Sequence, residues 1–246
     1  MKTSELYLAW EDPTEHRWMP VGRLTIDSEK GVYRFVYTKG ARSSPNFLPF
    51  SPMNDLSVAY ESSNLFPLFA NRLLQESRPE YKKHLEWLGL RGREDRNFVM
   101  LAATGGTRET DTLEVFQCPL RNGGGKYEVR FLSHGLHHLG KHAVDRVKQL
   151  RVGDRLFLMP DIQNPYDPEA LLLRSDDPKL IIGYCPRYLT HDFNELLRKC
   201  GPCKVNVSVE RVNADAPLHL KLVCKLVSPW PDDFRPCSGE MYEPMA

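Results

Sequence analysis

The stretch from Asn164 to Ala170 constrains the fold most strongly, because it holds two prolines. Each proline fixes its own φ and restricts the residue before it, so the chain must turn here. Between the prolines lie Tyr166, whose ring can stack on a flat ligand, and Asp167, whose carboxylate can accept a hydrogen bond from the ligand's edge. An apolar run at 171–173 follows and predicts a buried strand. These residues alone fit either an ordinary turn with a half-buried tyrosine or a rigid loop that presents a binding site.

Three flanking segments carry further motifs: Phe131–His138, Leu150–Leu156 and Ile181–Leu189. Together with Asn164-Pro165-Tyr166-Asp167 they resemble the HIRAN domain over residues 127–212. The family pattern opens with Gly-Leu and continues with a Val-Gly-Asp strand and an Asn-Pro-Tyr-Asp motif. It ends with Gly-Tyr-x-Pro-Arg, and all four motifs occur here in that order with compact spacing.

The resemblance implies a small OB-like or SH3-like β-barrel with an inserted helix, which binds single-stranded DNA and captures its 3′ end. In such a site Tyr166 would stack on the terminal base. Asp167 would accept a hydrogen bond from the 3′-hydroxyl, a group that internal nucleotides lack. Asn164 would shape the pocket and bond the base edge. The function implied is that of a non-enzymatic DNA-binding protein in DNA repair, restart or defence.

Further site residues follow from the same resemblance. His137 and His138 occupy the positions of an Arg-Tyr pair that contacts DNA, so they would meet the backbone without a permanent charge. Tyr184 and Arg187, in the Gly-Tyr-x-Pro-Arg motif, would hold the terminal phosphate. Glu169 departs from a common asparagine and adds a negative charge near the pocket.

The net charge of the chain is only +1, so no global field attracts nucleic acid. A basic segment at 137–155 nevertheless concentrates positive side chains, which are Lys141, Arg146, Lys148, Arg151 and Arg155. Only Asp145 and Asp154 oppose them. Lys141, Lys148 and Arg151 are therefore candidate phosphate contacts, and the alternative is an ordinary solvated helix.

The periodicity of the second half agrees with a small barrel. Apolar alternation and apolar runs predict strands at 127–133, 155–159, 169–174, 180–184, 205–209 and 218–227. Helical patterns occupy 141–149 and 187–199. Five or more short strands with an inserted helix favour a closed β-barrel.

The first half predicts an α+β domain. Strands are expected at 5–10, 18–26, 32–38 and 112–116, and helices at 64–75, 79–88 and 96–103. Gly89 and Gly92 should end the second helix, and Asp95 could cap the third.

This half resembles the N-terminal subdomain of HipA-type kinases, a sheet with helices that packs against the kinase body. The resembling residues are Val21–Leu24, Tyr33, Phe35, Tyr37, Leu48-Pro49, Leu65–Leu73 and Thr104–Gly106. The chain has no room for the kinase, so only the fold is carried over. The alternative function follows from here: a protein-interaction or regulatory module that docks a separate HipA-type kinase or another partner.

The predicted fold class is therefore α+β, with a HipA-N-like domain at 1–118 and a HIRAN-like β-barrel at 127–230. A glycine-rich linker at 119–126 separates them, because three consecutive glycines lose too much entropy inside a packed element. An irregular tail is expected at 231–246.

The motifs for thiol redox chemistry and for zinc binding are weak. Cys200-Gly201-Pro202-Cys203 has the sequence of a thioredoxin site, but it follows a predicted helix instead of preceding one, where the dipole would lower the thiol pKa. Residues 134–142 contain four histidines, but Gly135 and Gly140 argue against one helix that presents them to zinc. No catalytic constellation appears, so we expect no enzyme, no metal and no cofactor.

The expected location is the cytoplasm. No apolar stretch reaches the roughly 18 residues of a membrane span, and the N-terminus has no apolar signal core. Single-stranded DNA is the expected partner, with a protein partner possible through the N-terminal domain.

Overall fold

A computed structural model describes residues 3–27, 29–91, 96–108 and 110–246. The chain divides into two compact units. The first unit comprises the residues up to Cys118 together with Arg235–Ala246, and the second unit comprises Pro119–Phe234. Within the described ranges, no helix is both long enough and apolar enough to span a membrane.

The first unit contains a five-stranded antiparallel sheet. Its strands are β1 (Thr3–Glu11), β2 (Trp18–Asp27), β3 (Val32–Tyr37), β4 (Tyr60–Ser62) and β5 (Leu113–Phe116). Their order across the sheet is β4-β3-β2-β1-β5. The strands predicted at 5–10, 18–26, 32–38 and 112–116 all form, because their alternating apolar residues cover one core.

Three α-helices accompany this sheet, namely α1 (Pro67–Ala70), α2 (Tyr81–Leu88) and α3 (Arg96–Thr104). The helix expected at 64–75 is wrong in length, since only four residues are helical. Leu73 lies beyond α1. Its side chain packs against both apolar clusters of this unit, whereas the helical periodicity predicted one apolar face. Gly89 ends α2 with φ 73°, as expected of a left-handed cap. Gly92 and Asp95 lie outside the described residues.

The C-terminal segment 235–246 belongs to the first unit. Thr38 forms a β-bridge with Pro244, and the Met245 amide donates to the Tyr37 carbonyl at 2.9 Å. Lys39 forms an ion pair with Glu243 at 2.7 Å. A 3-10 helix spans Glu240–Tyr242, so these residues have regular structure where the sequence suggested none.

The second unit is a six-stranded antiparallel sheet with two helices. Its strands are β6 (Lys126–Leu132), β7 (Arg155–Pro160), β8 (Leu171–Ser175), β9 (Ile181–Tyr184), β10 (Asn206–Val212) and β11 (Leu222–Pro229). The order is β6-β11-β10-β7-β8-β9. Helix α4 (Lys141–Gln149) and helix α5 (Arg187–Cys200) form where their apolar periodicity predicts them. Short 3-10 helices span Lys39–Arg42 in the first unit, and Leu136–His138 and Leu218–Leu220 in this one.

The sheet of the second unit curls until its two edges meet. His134, two residues after β6, exchanges two backbone hydrogen bonds of 2.9 Å with Tyr184 at the end of β9. Gly183 permits this approach: it has φ 145°, and a Cβ built there would lie 1.8 Å from Ser133 Oγ. Any other residue at 183 would push the edges apart, so the curled sheet depends on this glycine.

The core of the second unit encloses an acidic side chain. Asp192 lies on the buried face of α5, where Leu189, Phe193 and Leu196 pack into the barrel. Its Oδ2 accepts a hydrogen bond from the Tyr127 hydroxyl at 3.2 Å. Burial raises the pKa of Asp192 to about 7, although the Tyr127 hydrogen bond and His191 oppose the change.

This raised pKa makes the second unit sensitive to pH. Below about pH 4 the folded and unfolded chains both hold the Asp192 proton, so the neutral carboxyl makes its full contribution to the free energy of unfolding. As the pH rises toward 7, only the unfolded chain releases that proton. The stability is therefore lost progressively up to the folded pKa.

We expect Asp192→Asn to remove this part of the pH dependence. Relative to the wild type, the variant should gain on the order of 1–3 kcal/mol between about pH 5 and pH 8, because it buries no ionisable group. Urea unfolding, monitored through hydrogen exchange of the β10 and β11 amides, measures the difference. Parallel pH profiles for the two proteins would contradict the assignment.

Candidate nucleic-acid interface

Asn164 fixes the backbone of the β7–β8 loop, residues Asp161–Ala170. Its Oδ1 accepts hydrogen bonds from the amides of Tyr166 and Asp167, each at 3.0 Å. Its Nδ2 donates to Asp161 Oδ2 at 3.2 Å. At the loop's base, the Asp161 amide donates to the Ala170 carbonyl at 2.9 Å. Because Asn164 uses both ends of its amide inside the loop, its structural role is to hold the next two residues in place.

Tyr184 joins this loop to a second segment. Its hydroxyl donates to Asp161 Oδ2 at 3.1 Å, and burial together with this bond raises the pKa of Tyr184. Its ring lies over Gly135, where an added Cβ would be 2.9 Å from the ring carbon Cδ2. Gly135 has φ 68° and begins the turn that carries His137 and His138. Tyr184 therefore positions the β7–β8 loop and the histidine turn together.

The loop leaves Tyr166 and Asp167 accessible. Tyr166 is 61% exposed, and Ile162 in the same loop is 91% exposed. One carboxylate oxygen of Asp167 accepts a hydrogen bond from the Glu169 amide at 2.9 Å. The described residues give its other oxygen no partner. An exposed ring and an open carboxylate oxygen thus lie on adjacent residues of a fixed loop.

The histidine turn is exposed, and His219 lies close to it. The rings of His137 and His138 are 3.8 Å apart between centroids. Burial lowers the pKa of His134 to about 4, with His219 and Arg187 adding to the effect. Burial and the nearby His137 also lower the pKa of His219. His134 and His219 are therefore neutral near pH 7.

Helix α5 begins at Arg187, three residues after Tyr184. Arg187 is half-buried and lies near enough to His134 to affect its pKa. On the same helix, His191 Nδ1 lies 3.2 Å from the Glu169 carboxylate. Asn194 donates to the Glu169 carbonyl at 3.0 Å. The carboxylate of Glu169 thus points at α5. This orientation reduces the repulsion of an anionic ligand that glutamate, in place of the common asparagine, was expected to cause.

The basic segment extends away from the loop along α4. Lys141 begins α4 directly after the histidine turn, and Lys148 lies on the same helix about 10 Å further along its axis. Lys148 pairs with Asp145 at 3.0 Å, which partly neutralises it. Arg151 follows the helix and is exposed. The structure brings Lys141 near the predicted site and leaves Lys148 and Arg151 at the far end of α4.

Cys200 is the last residue of α5, and Cys203 is exposed in the turn that follows. This agrees with the expected position after a helix, while the absence of redox activity stays a prediction. Within the ranges that the structure describes, no three His, Cys, Asp or Glu side chains form a group suited to a metal ion.

The sequence did not reveal two groups of this region. Asp161 accepts hydrogen bonds from both Asn164 and Tyr184, but a lone aspartate after a strand gives no signal of that role. His219 joins the histidine turn from a distant 3-10 helix. Both arise from barrel closure, which the local pattern does not encode.

The family model of the HIRAN domain matches residues 126–230. The chain therefore carries a HIRAN domain in its second unit, and the resemblance of that part is confirmed. The mixed α/β fold with curled antiparallel sheets agrees with this assignment. The likeness of the first unit to the HipA N-terminal subdomain stays a prediction.

Two solved structures are similar to the chain. One is the crystal structure of a protein from Lactobacillus plantarum, with 20% identity over 42% of this chain and 99% of that chain, and a TM-score of 0.32. The other is the HIRAN domain of human HLTF, with 15% identity over 44% of this chain and 81% of that chain, and a TM-score of 0.31. No curated protein matches the chain. Because both TM-scores are low, the family assignment depends on the matched residues 126–230.

Tyr184→Phe should loosen the β7–β8 loop. The variant keeps the ring against Gly135 and loses the hydrogen bond to Asp161, which is worth about 1–2 kcal/mol. We expect amide exchange within 161–170 to rise about tenfold, since 1.4 kcal/mol is one decade. Exchange in β7 and β8 should stay unchanged.

Tyr33→Phe in the first unit is the matched control, because the described residues give the Tyr33 hydroxyl no hydrogen bond. Unchanged exchange in the loop of Tyr184→Phe would show that Tyr184 does not position it.

Proposed function

We propose that this chain is a non-enzymatic protein that binds single-stranded DNA through its second unit and holds the 3′-hydroxyl end. The HIRAN domain at 126–230 supports the nucleic-acid class, because the family resemblance implies binding of single-stranded DNA. A role in DNA repair, restart or defence and a cytoplasmic location belong to the same proposal.

The observation that carries the 3′-end proposal is the pairing of Tyr166 with Asp167. Stacking of a base on an aromatic ring contributes roughly 1–3 kcal/mol and tolerates any sequence. It provides affinity, but it does not distinguish a strand end from its interior. A carboxylate does, because only a terminal 3′-hydroxyl offers it a donor, and Asp167 has an oxygen open to accept that donor.

The remaining residues have supporting roles in this proposal. Asn164 shapes the loop, since its amide is already engaged there. Tyr184 positions the loop through Asp161, and we assign the terminal phosphate to Arg187 with help from His137 and His138. All three side chains carry hydrogen-bond donors, and Arg187 keeps its charge at every pH of interest.

Lys141, Lys148 and Arg151 provide electrostatic attraction along α4. The ion pair of Lys148 with Asp145 reduces its share, so Lys141 and Arg151 should contribute more. Docking of a separate kinase or other protein by the first unit remains a prediction, and it requires no residue of the loop.

A binding titration of three single strands tests the proposal. The strands share one sequence and carry a 3′-hydroxyl, a 3′-phosphate or no end at all because the strand is circular. A charge-assisted hydrogen bond contributes about 1.5–3 kcal/mol. We therefore expect the wild type to prefer the 3′-hydroxyl by about tenfold or more.

Two substitutions separate affinity from end recognition. Tyr166→Ala should weaken the binding of all three strands alike. Ile162→Ala, in the same loop, is its control. Asp167→Ala should abolish the preference while keeping much of the affinity, with the exposed Asp176 changed to Ala as control. Equal binding of the three strands by the wild type would show that the 3′-end proposal is wrong.

A further inference from the structure

Two arginine side chains lie against the ring of Phe157 on the surface of the second unit. The guanidinium carbon of Arg174 lies 4.5 Å from the ring centroid, and that of Arg155 lies 4.9 Å from it. Both distances are those of cation–π contacts, so the half-buried ring holds two long side chains in place. Two guanidinium groups are thus ordered near each other before any ligand binds.

The strand geometry places these three residues on one face. Leu156 and Leu158 pack into the barrel core, so Arg155 and Phe157 point outward from β7. Arg174 is the cross-strand partner of Phe157 on β8. The outer face of β7 and β8, defined by Arg155, Phe157 and Arg174, is therefore built by strand alternation and register.

The charges of this outer face are not compensated. In the part of the chain that the structure describes, neither Arg155 nor Arg174 has an ion pair, and Arg174 donates to the Ser175 carbonyl at 3.1 Å. On β6 and β11, by contrast, Arg130 pairs with Glu210 at 3.0 Å and Lys225 pairs with Glu128 at 3.0 Å. An anionic ligand is therefore attracted to the β7–β8 side of the sheet.

The outer face continues toward the loop that holds Tyr166. Met159 on β7 pairs with Leu172 on β8, and Leu172 pairs with Tyr184 on β9. This apolar row lies two residues, or about 7 Å, beyond the row of Phe157 and Arg174. Leu172 is buried, so Met159, which is 37% exposed, is the accessible apolar side chain of this row, one residue before the end of β7 and the loop.

We propose that the outer face of β7 and β8 binds the phosphates of the single strand on the 5′ side of its terminal nucleotide. This inference depends on the proposed function and adds the direction in which the strand leaves the 3′-end site. Guanidinium groups bind phosphate in a bidentate manner, and the two here are already oriented by Phe157. The strand would cross the exposed Met159 and then reach Arg174 and Arg155.

The test compares two strands that both end in a 3′-hydroxyl. One has about 3 nucleotides, fewer than the smallest single-strand site of an OB fold, and the other has about 12, within the usual range. The full chain is titrated with each over a range of salt concentrations. The double variant Arg155→Gln with Arg174→Gln keeps part of each aliphatic stem and a polar end group, and it removes both charges.

The matched control is Arg198→Ala with Lys204→Ala, which removes two exposed positive charges elsewhere in the second unit. Thermal unfolding of all variants confirms that each remains folded. We expect the wild type to bind the long strand more tightly than the short one. The glutamine variant should lose about tenfold or more of the long-strand affinity, and its salt slope should fall by about 1.4, which is 0.7 for each phosphate contact.

The short strand and its preference for a 3′-hydroxyl should be unaffected in the glutamine variant. If that variant keeps the wild-type length dependence and salt slope, or if the control loses as much, the outer face does not carry the strand. If the wild type binds neither strand, the proposed function fails and this inference with it. These outcomes separate an error in the strand's path from an error in the function.

Discussion

The second unit depends on the close approach of its two sheet edges at Gly183. A side chain at this position would overlap Ser133, so the backbone hydrogen bonds between His134 and Tyr184 could not form. Those bonds place Tyr184 between the histidine turn and the β7–β8 loop. Closure of the sheet and positioning of the loop are therefore consequences of one contact.

The same closure determines the electrostatics of the region. It brings His134, His219 and Arg187 near each other, and burial with mutual repulsion keeps the two histidines neutral near pH 7. The permanent positive charges that face solvent without an ion pair include Arg155 and Arg174 on the neighbouring strands. A site for the strand end and a surface for its phosphates would then lie side by side.

Local sequence patterns predicted most of the elements of both units. Alternation over 32–38 and 155–159, and the apolar periodicity of 187–199, reported the faces that the core covers. These signals are local, because one residue's orientation determines the next in a strand or helix. The Asn-Pro-Tyr-Asp motif likewise predicted a fixed loop, and Asn164 fixes it through hydrogen bonds to the next residues.

What the sequence did not predict depends on contacts between distant segments. The helix expected at 64–75 is limited to Pro67–Ala70, and Leu73 beyond it contacts two apolar clusters. The segment 235–246 returns to pair with Thr38, about 200 residues earlier in the chain. The role of Phe157 becomes evident only from its cation–π contact with Arg174, its cross-strand partner on β8. Periodicity carries no information about such partners, so these features required the structure.

The central claim is that one continuous surface, from the histidine turn through the loop to β7 and β8, receives the strand. Amide chemical-shift mapping of the full chain with a strand of about 12 nucleotides, within the range of one OB fold, tests it directly. We expect the largest changes at 134–138, 161–170 and 184–187, with smaller changes along β7 and β8. Changes confined to the first unit, or to the region around Arg198 and Lys204, would contradict the claim.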